Sequence, residues 1–516
     1  VQLIESLTHK PVALAFGTSG LRGLVSDMSE LECYINAAGF LEFLKEQDQL
    51  AAGATVYLAG DLRDSTPRIM AVMVAAIEDS GFKVVNGGKV PTPALAYYAL
   101  QHNAPCIVVT GSHIPADRNG IKFYRLVGEL LKTDEPIMQQ HVAKVRQAVY
   151  EASLETSAFD NSGSLKSLPV LPAVDPDIEM SYLRRYTSVF DADSFSGKQV
   201  VVYQHSAVGR DFFVNLFKAL GASVVAVERS EVFIPIDTEH IRAEDQALFQ
   251  KLSQEYPQAF AIISTDGDSD RPFVIDETGR FHPGDVLGAV VADYLGAKFA
   301  AVPISCNDAV DAFCEAKGVT LAHTKVGSPY VIAAMQAADQ SLTPLTSWEV
   351  NGGFLLGSDL TLNGQPLKAL PTRDAALPIV CALLAAQQKG LTVSELFAQL
   401  PRRFTSSSLI DNIDPDQIAA FRSLSTDTDA MQRLATTVFG GTPLGAVEQL
   451  DSTDGLRLHF ASGDVIHLRP SGNAPQFRVY SNASSQVHAD ELANKAVTPE
   501  GYIAQLLKVL ETASHE

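Results

Sequence analysis

The chain has 516 residues, 46% of them apolar, and a formal net charge of −21 spread along its length rather than gathered in a tail. That length exceeds a single core and predicts about three or four domains. The acidic balance argues against nucleic acid as a partner, because binding a phosphate backbone needs a basic face.

No apolar run reaches the roughly 18 residues that cross a bilayer, so no membrane partner is expected. Cys33, Cys106, Cys306, Cys314 and Cys381 lack paired or CxxC spacing, and the N-terminus lacks a basic-then-apolar leader pattern. Reduced thiols and a cytoplasmic protein are the expectation. Oligomeric state is not legible in the sequence.

In chain order, Phe16-Gly17-Thr18-Ser19-Gly20-Leu21-Arg22-Gly23 is rich in glycine and hydroxyls. It reads equally as a loop whose N–H groups wrap a phosphate or as a plain flexible turn. A strand over 55–59, a helix from about Pro67 capped by Ser65 or Thr66, Gly81, and a strand over 83–85 form a strand–helix–strand unit. The strand over 106–110 opens into Gly111-Ser112-His113-Ile114-Pro115. A serine at a strand-end turn beside a histidine is either an activated nucleophile or an ordinary turn residue. The hydrolase elbow G-x-S-x-G is absent. Lys122 follows in a strand; it is either an exposed cation or a partner and proton carrier for a phosphoserine. Residues 153–176, rich in Ser, Pro and Ala, carry little pattern and read as a mobile linker or edge excursion.

The strand–helix–strand pattern recurs over 199–227 and 299–321, so three similar α/β domains in series are predicted, with parallel or mixed sheets. Between these copies, the apolar run Phe260-Ala261-Ile262-Ile263 leads into Ser264-Thr265-Asp266-Gly267-Asp268-Ser269-Asp270-Arg271. Three carboxylates on alternate residues repel one another unless a cation lies between them, and oxygen donors suit a hard divalent ion. An EF-hand is rejected: its sixth position must be a turning glycine and here is Arg271, followed by Pro272. A solvated acidic hairpin is the alternative.

Two further loops follow. Thr324-Lys325-Val326-Gly327-Ser328 places a cation beside a glycine. Trp348-Glu349-Val350-Asn351-Gly352-Gly353 holds an acid and an amide suited to sugar hydroxyls; a salt-bridged turn is the bland reading. Gly352 and Gly353 read as leaving space beside a sugar. After about residue 400 the character changes to an α+β pattern, with a hairpin over 456–469, a strand over 477–480 and a closing helix over 499–511. In it, Arg469-Pro470-Ser471-Gly472-Asn473-Ala474-Pro475 offers a guanidinium, a hydroxyl, an amide and free backbone, either a phosphate cradle or a plain loop.

Four of these loops, Thr110 to Pro115, Asp266 to Arg271, Glu349 to Gly353 and Arg469 to Pro475, resemble the α-D-phosphohexomutase superfamily in type and order across nearly the whole chain. That superfamily comprises phosphoglucomutases, phosphomannomutases and the phosphoglucosamine and phospho-acetylglucosamine mutases. The resemblance implies an α/β fold of four domains around a central cleft: three similar mixed-sheet domains plus a C-terminal α+β domain. Boundaries of 1–152, 177–282, 283–400 and 401–516 are expected.

It also implies that Ser112 carries the phosphoryl group, with Asp266, Asp268, Asp270 and the phosphoserine oxygen holding Mg²⁺. Arg271 and Lys325 would line the cleft; Arg22, His113 and Lys122 would surround the serine as charge stabilisers or proton carriers. Glu349 and Asn351 would read the sugar, and Arg469, Ser471, Gly472 and Asn473 would grip the phosphate not being transferred. The implied reaction moves phosphate between C1 and C6 of mannose or glucose phosphate through a hexose 1,6-bisphosphate, which also serves as activator. Ile114 stands where the family usually has Asn. Asn351 and Gly353 stand where many bacterial phosphomannomutases have Ser and His, a pattern also similar to acetylglucosamine mutases. A mutase acting on glucosamine or N-acetylglucosamine phosphate, and a catalytically silent binding protein, are the alternatives.

Overall fold

Apolar strands and amphipathic helices alternate, and stacking helices on sheets buries the apolar face of each. The computed structural model describes residues 1–471 and 476–513, and two compact units are present. The first comprises residues 1–297 and 328–397; the second comprises residues 298–327 and 398–516.

In the first unit, one sheet runs in the order Ala15–Phe16, Leu21–Leu24, Arg118–Arg125, Cys106–Val109, Thr55–Gly60 and Lys83–Lys89, with Gly128–Glu129 paired to Arg118–Arg125. Thr55–Gly60 is parallel to both Lys83–Lys89 and Cys106–Val109, as a strand–helix–strand crossover requires. The helices Glu30–Gln47 and Thr66–Asp79 bury Phe40, Leu44, Ile69 and Met73 against Leu58, Ile107 and Phe123 in one core. Ser65 does occupy the cap position of Thr66–Asp79, but makes no side-chain cap bond. Its hydroxyl instead accepts from the Asn119 amide at 2.8 Å.

A second sheet orders Phe281–His282, Pro272–Ile275, Ala259–Thr265, Gln199–His205 and Ser223–Arg229. Leu345–Trp348, Phe354–Leu356 and Leu370–Asp374 pair antiparallel. Of the two readings of residues 153–176, the structure agrees with the edge excursion and not with a mobile linker: Val174 bridges Asn86 of the edge strand Lys83–Lys89. Phe159 is buried, the Leu165 N–H donates to Glu30 Oε2 at 2.7 Å, and Lys166 donates to three backbone carbonyls. One aromatic anchor and a few side-chain-to-backbone bonds hold a segment that has no periodic pattern.

In the second unit, Phe299–Pro303 and Thr320–Thr324 are parallel, joined through Ala309–Lys317 and the left-handed Gly318. A five-stranded antiparallel sheet follows, ordered Phe404–Ile410, Phe477–Ala483, Val465–Pro470, Leu456–Phe460 and Val447–Asp451, with Gln486–Ala496 and Tyr502–Ala513 helical. This bears out the α+β character expected after residue 400.

Candidate active site

The acidic loop closes a tight antiparallel pair in which Thr265 faces Pro272 and Ser264 faces Phe273. Ser269 makes the turn possible with a positive φ of 59°. Its hydroxyl lies 2.8 Å from that of Thr265 and accepts the Gly209 N–H at 2.9 Å. Asp266, Asp268 and Asp270 are all buried, with one carboxylate oxygen from each within 4.8 Å of the others. Asp268 Oδ1 and Asp270 Oδ1 are buried without a hydrogen-bond partner. Buried, unsatisfied carboxylate oxygens converging in one place are the donor set of a hard divalent cation, so the residues present fit such an ion.

Ser112 comes to this loop from the end of Cys106–Val109, and its Oγ donates to Asp266 Oδ2 at 2.6 Å. Its backbone is left-handed, with φ 56°, an unusual state for serine that the surroundings must enforce. Antiparallel pairing of Val108 with Lys122, and of Arg22 with Gly120, brings both cations to the same sheet. Lys122 Nζ lies on the carboxylates rather than on Ser112: 2.7 Å from Asp268 Oδ2 and 2.6 Å from Asp270 Oδ2. His113 Nδ1 is 3.4 Å from Ser112 Oγ.

Burial first, and then mutual repulsion from Asp268 and Asp270, pushes the Asp266 carboxyl well above the usual range. Burial works the same way on Asp268, but Lys122 and the Thr92 hydroxyl outweigh it and hold Asp268 below the usual range. Burial, with Arg271 and Arg22 nearby, keeps His113 neutral. Burial, then Arg271 and Arg373, lowers Arg22 to about 10. Cations and carboxylates are thus interleaved in a largely buried site, where each charge is weakly screened.

Glu349 and Asn351 sit on the turn between Leu345–Trp348 and Phe354–Leu356. Glu349 Oε2 accepts Arg373 Nε at 2.6 Å, and Asn351 Oδ1 accepts the Gly353 N–H at 2.9 Å. The space read beside Gly352 and Gly353 is filled. A Cβ at 353 would meet the Arg373 stem at 2.6 Å, and one at 352 would meet Pro272 at 3.0 Å. Those glycines admit neighbouring protein.

Within the second unit, Asp454 Oδ2 accepts Arg469 Nε at 2.8 Å and the Val326 N–H at 3.0 Å. One carboxylate thereby ties Arg469 to the loop that carries Lys325. Arg422 donates to the Ser471 carbonyl at 2.7 Å. Gly472 and Asn473 lie outside the described residues.

Sequence reasoning missed Arg373, Thr92, Arg63 and Asp61. Arg373 lies 3.8 Å from Asp270 as well as on Glu349, and Thr92 Oγ1 donates to Asp268 Oδ2 at 2.6 Å. The available signals were weak: a cation inside the short strand Leu370–Asp374, and a hydroxyl opening the helix Thr92–Gln101.

Two family profiles match: phosphoglucomutase/phosphomannomutase, alpha/beta/alpha domain I, over residues 13–148, and domain III over residues 283–404. A phosphomannomutase of Salmonella muenchen is 39% identical over 92% of this chain and 93% of its own. The chain belongs to the phosphoglucomutase/phosphomannomutase family. A phosphoglucomutase/phosphomannomutase family protein of Burkholderia thailandensis has the same fold, with TM-score 0.69 at 18% identity, covering 96% of this chain and 97% of that one. A phosphoglucosamine mutase of Alkaliphilus metalliredigens is more distant, at 26% identity over 74% of this chain and 80% of its own.

Proposed function

We infer that this family member is a hexose phosphomutase, moving phosphate reversibly between C1 and C6 of mannose or glucose phosphate through a phosphoserine at Ser112. The observation that carries the reading is the 2.6 Å bond from Ser112 Oγ into the buried three-aspartate loop. A serine so placed has no structural need of three carboxylates, but a phosphoserine bound to a cation does. The complete serine and aspartate set also disfavours a silent binding protein. Boundaries at 1–152, 177–282, 283–400 and 401–516 fit the four loops as one per domain.

Mg²⁺ held by Asp266, Asp268, Asp270 and an oxygen on Ser112 would neutralise charge on the transferring group. Ser112 donates its phosphoryl group to a free sugar hydroxyl: its P–O bond breaks as one to the sugar forms, giving the 1,6-bisphosphate. The bisphosphate then turns over and returns its other phosphate to Ser112. The proton lost by the attacking hydroxyl in one half is regained at the opposite oxygen in the other, so the cycle balances. His113, with Nδ1 3.4 Å from Ser112 Oγ, and Lys122, which sits on Asp268 and Asp270, are the groups assigned to carry it. Arg22 and Arg271 hold positive charge over the phosphoryl oxygens; Lys325, Glu349 and Asn351 bind sugar; Arg469, Ser471, Gly472 and Asn473 grip the idle phosphate. Hexose 1,6-bisphosphate serves as activator by phosphorylating Ser112.

Turnover of mannose 1-phosphate to the 6-phosphate, followed by phosphorus NMR with catalytic bisphosphate, tests the reading. Mannose and glucose 1-phosphates are expected within about tenfold of each other, a difference of about 1.4 kcal/mol, because Glu349 and Asn351 address equatorial hydroxyls the two sugars share. A thousandfold preference for N-acetylglucosamine phosphate would overturn it. Arg469→Ala removes a charge-assisted contact made in ground and transition states alike, worth about 1.5–3 kcal/mol. KM should rise about ten- to a hundredfold with kcat little changed. An unchanged KM for both sugar phosphates would assign Arg469 to structure.

A further inference from the structure

Arg63 lies on none of the four loops, yet its side chain is 1% exposed and all five of its N–H donors are used. Nε donates to Asp61 Oδ2 at 3.1 Å. Nη2 donates to the carbonyls of Ser112 at 3.0 Å and Ile114 at 2.7 Å. Nη1 donates to those of Pro115 at 2.8 Å and Arg118 at 3.1 Å. One guanidinium therefore collects both ends of the serine loop, and the carbonyls it gathers include that of the left-handed Ser112. Its plane also explains Gly111: a Cβ there would lie 2.8 Å from Arg63 Cζ.

Phe233 also packs on the guanidinium, with Arg63 Cζ 3.9 Å from its ring centroid. The same ring and the Ser112 carbonyl press on the acidic loop. A Cβ on Gly267 would meet Ser112 O at 2.6 Å and Phe233 Cζ at 2.8 Å. Arg63 and Phe233 thus form a stack that sets the serine loop against the carboxylate loop.

We propose that Arg63 is a positioning residue for phosphoryl transfer, fixing the strained Ser112 turn in register with Asp266 through four carbonyls and the Phe233 ring. The inference rests on the phosphoserine reading above. Lysine has three donors and no plane, so it cannot reproduce the fork or the stack.

Arg63→Lys is tested beside wild type with mannose 1-phosphate and catalytic bisphosphate. kcat should fall about a hundredfold, the cost of misplacing a reacting atom by about 1 Å. KM should stay within about twofold, because the sugar and the idle phosphate are held by other loops. Methylguanidinium should restore about tenfold of the kcat lost in Arg63→Ala, and methylammonium should restore none. Should Arg63→Lys fail to fold, Phe233→Leu decides, with kcat reduced about fivefold at constant KM on loss of the stack. Wild-type kcat in a folded Arg63→Lys, or in Phe233→Leu, overturns the proposal. Hydrogen exchange of the amides over 112–118 reads the loop without turnover: faster exchange in Arg63→Lys is expected, and unchanged exchange also overturns it. An inactive wild type would instead strike the functional reading, leaving the exchange result to judge Arg63.

Discussion

Ser112→Ala should lose turnover by on the order of 10,000-fold, about 5.4 kcal/mol of barrier at 1.36 kcal/mol per tenfold. The covalent route needs the serine oxygen at this position, and Lys122 is committed to Asp268 and Asp270. The variant should still fold, because Arg63 gathers backbone carbonyls of this loop, and a methyl group fits where a hydroxyl was. Steady-state rates with circular dichroism as a folding control check it. Wild-type-like rates would remove Ser112 from the mechanism.

Asp268→Asn should weaken Mg²⁺ binding measurably by calorimetry and cut the rate about a thousandfold at limiting metal, about 4 kcal/mol. The amide keeps the size of the carboxylate, and its oxygen can still accept from Thr92 Oγ1, which lies at 2.6 Å in the native protein. What it loses is one of three negative charges, while Lys122 continues to compete for Asp270. A smaller metal-induced rise in Tm should accompany the weaker binding, since stabilisation follows the occupancy of the folded state. If EDTA leaves the wild type fully active, or Asp268→Asn binds the ion as tightly as wild type, the carboxylate loop has another purpose.

Much of this architecture was legible because its signals are local. The strand before Asp266 is a continuous apolar run, and charges at its end can only be in a loop; the same holds for Ser112 after Cys106–Val109. The strand–helix–strand copies announced themselves by period and by the glycines that close them.

Arg63 was hidden because it lies in the short polar stretch between a strand and a helix; its carbonyl partners are about 50 residues away and exist only once the sheet has formed. Arg373 sits in a short strand whose meaning depends on Glu349, 24 residues earlier, and on Asp270 in the acidic loop of a different sheet. Gly352 and Gly353 were misread for the same reason. A missing side chain in a sequence looks like space, and only the fold reveals that Arg373 and Pro272 fill it.

The phosphoserine itself is the most direct test. The purified wild type, incubated with labelled glucose 1,6-bisphosphate and Mg²⁺, is digested and its peptides mapped by mass spectrometry. One phosphoryl group on Ser112, discharged on adding mannose 1-phosphate, is the predicted result. Label on another residue, or none on Ser112 in an enzyme that still turns over, would contradict the account.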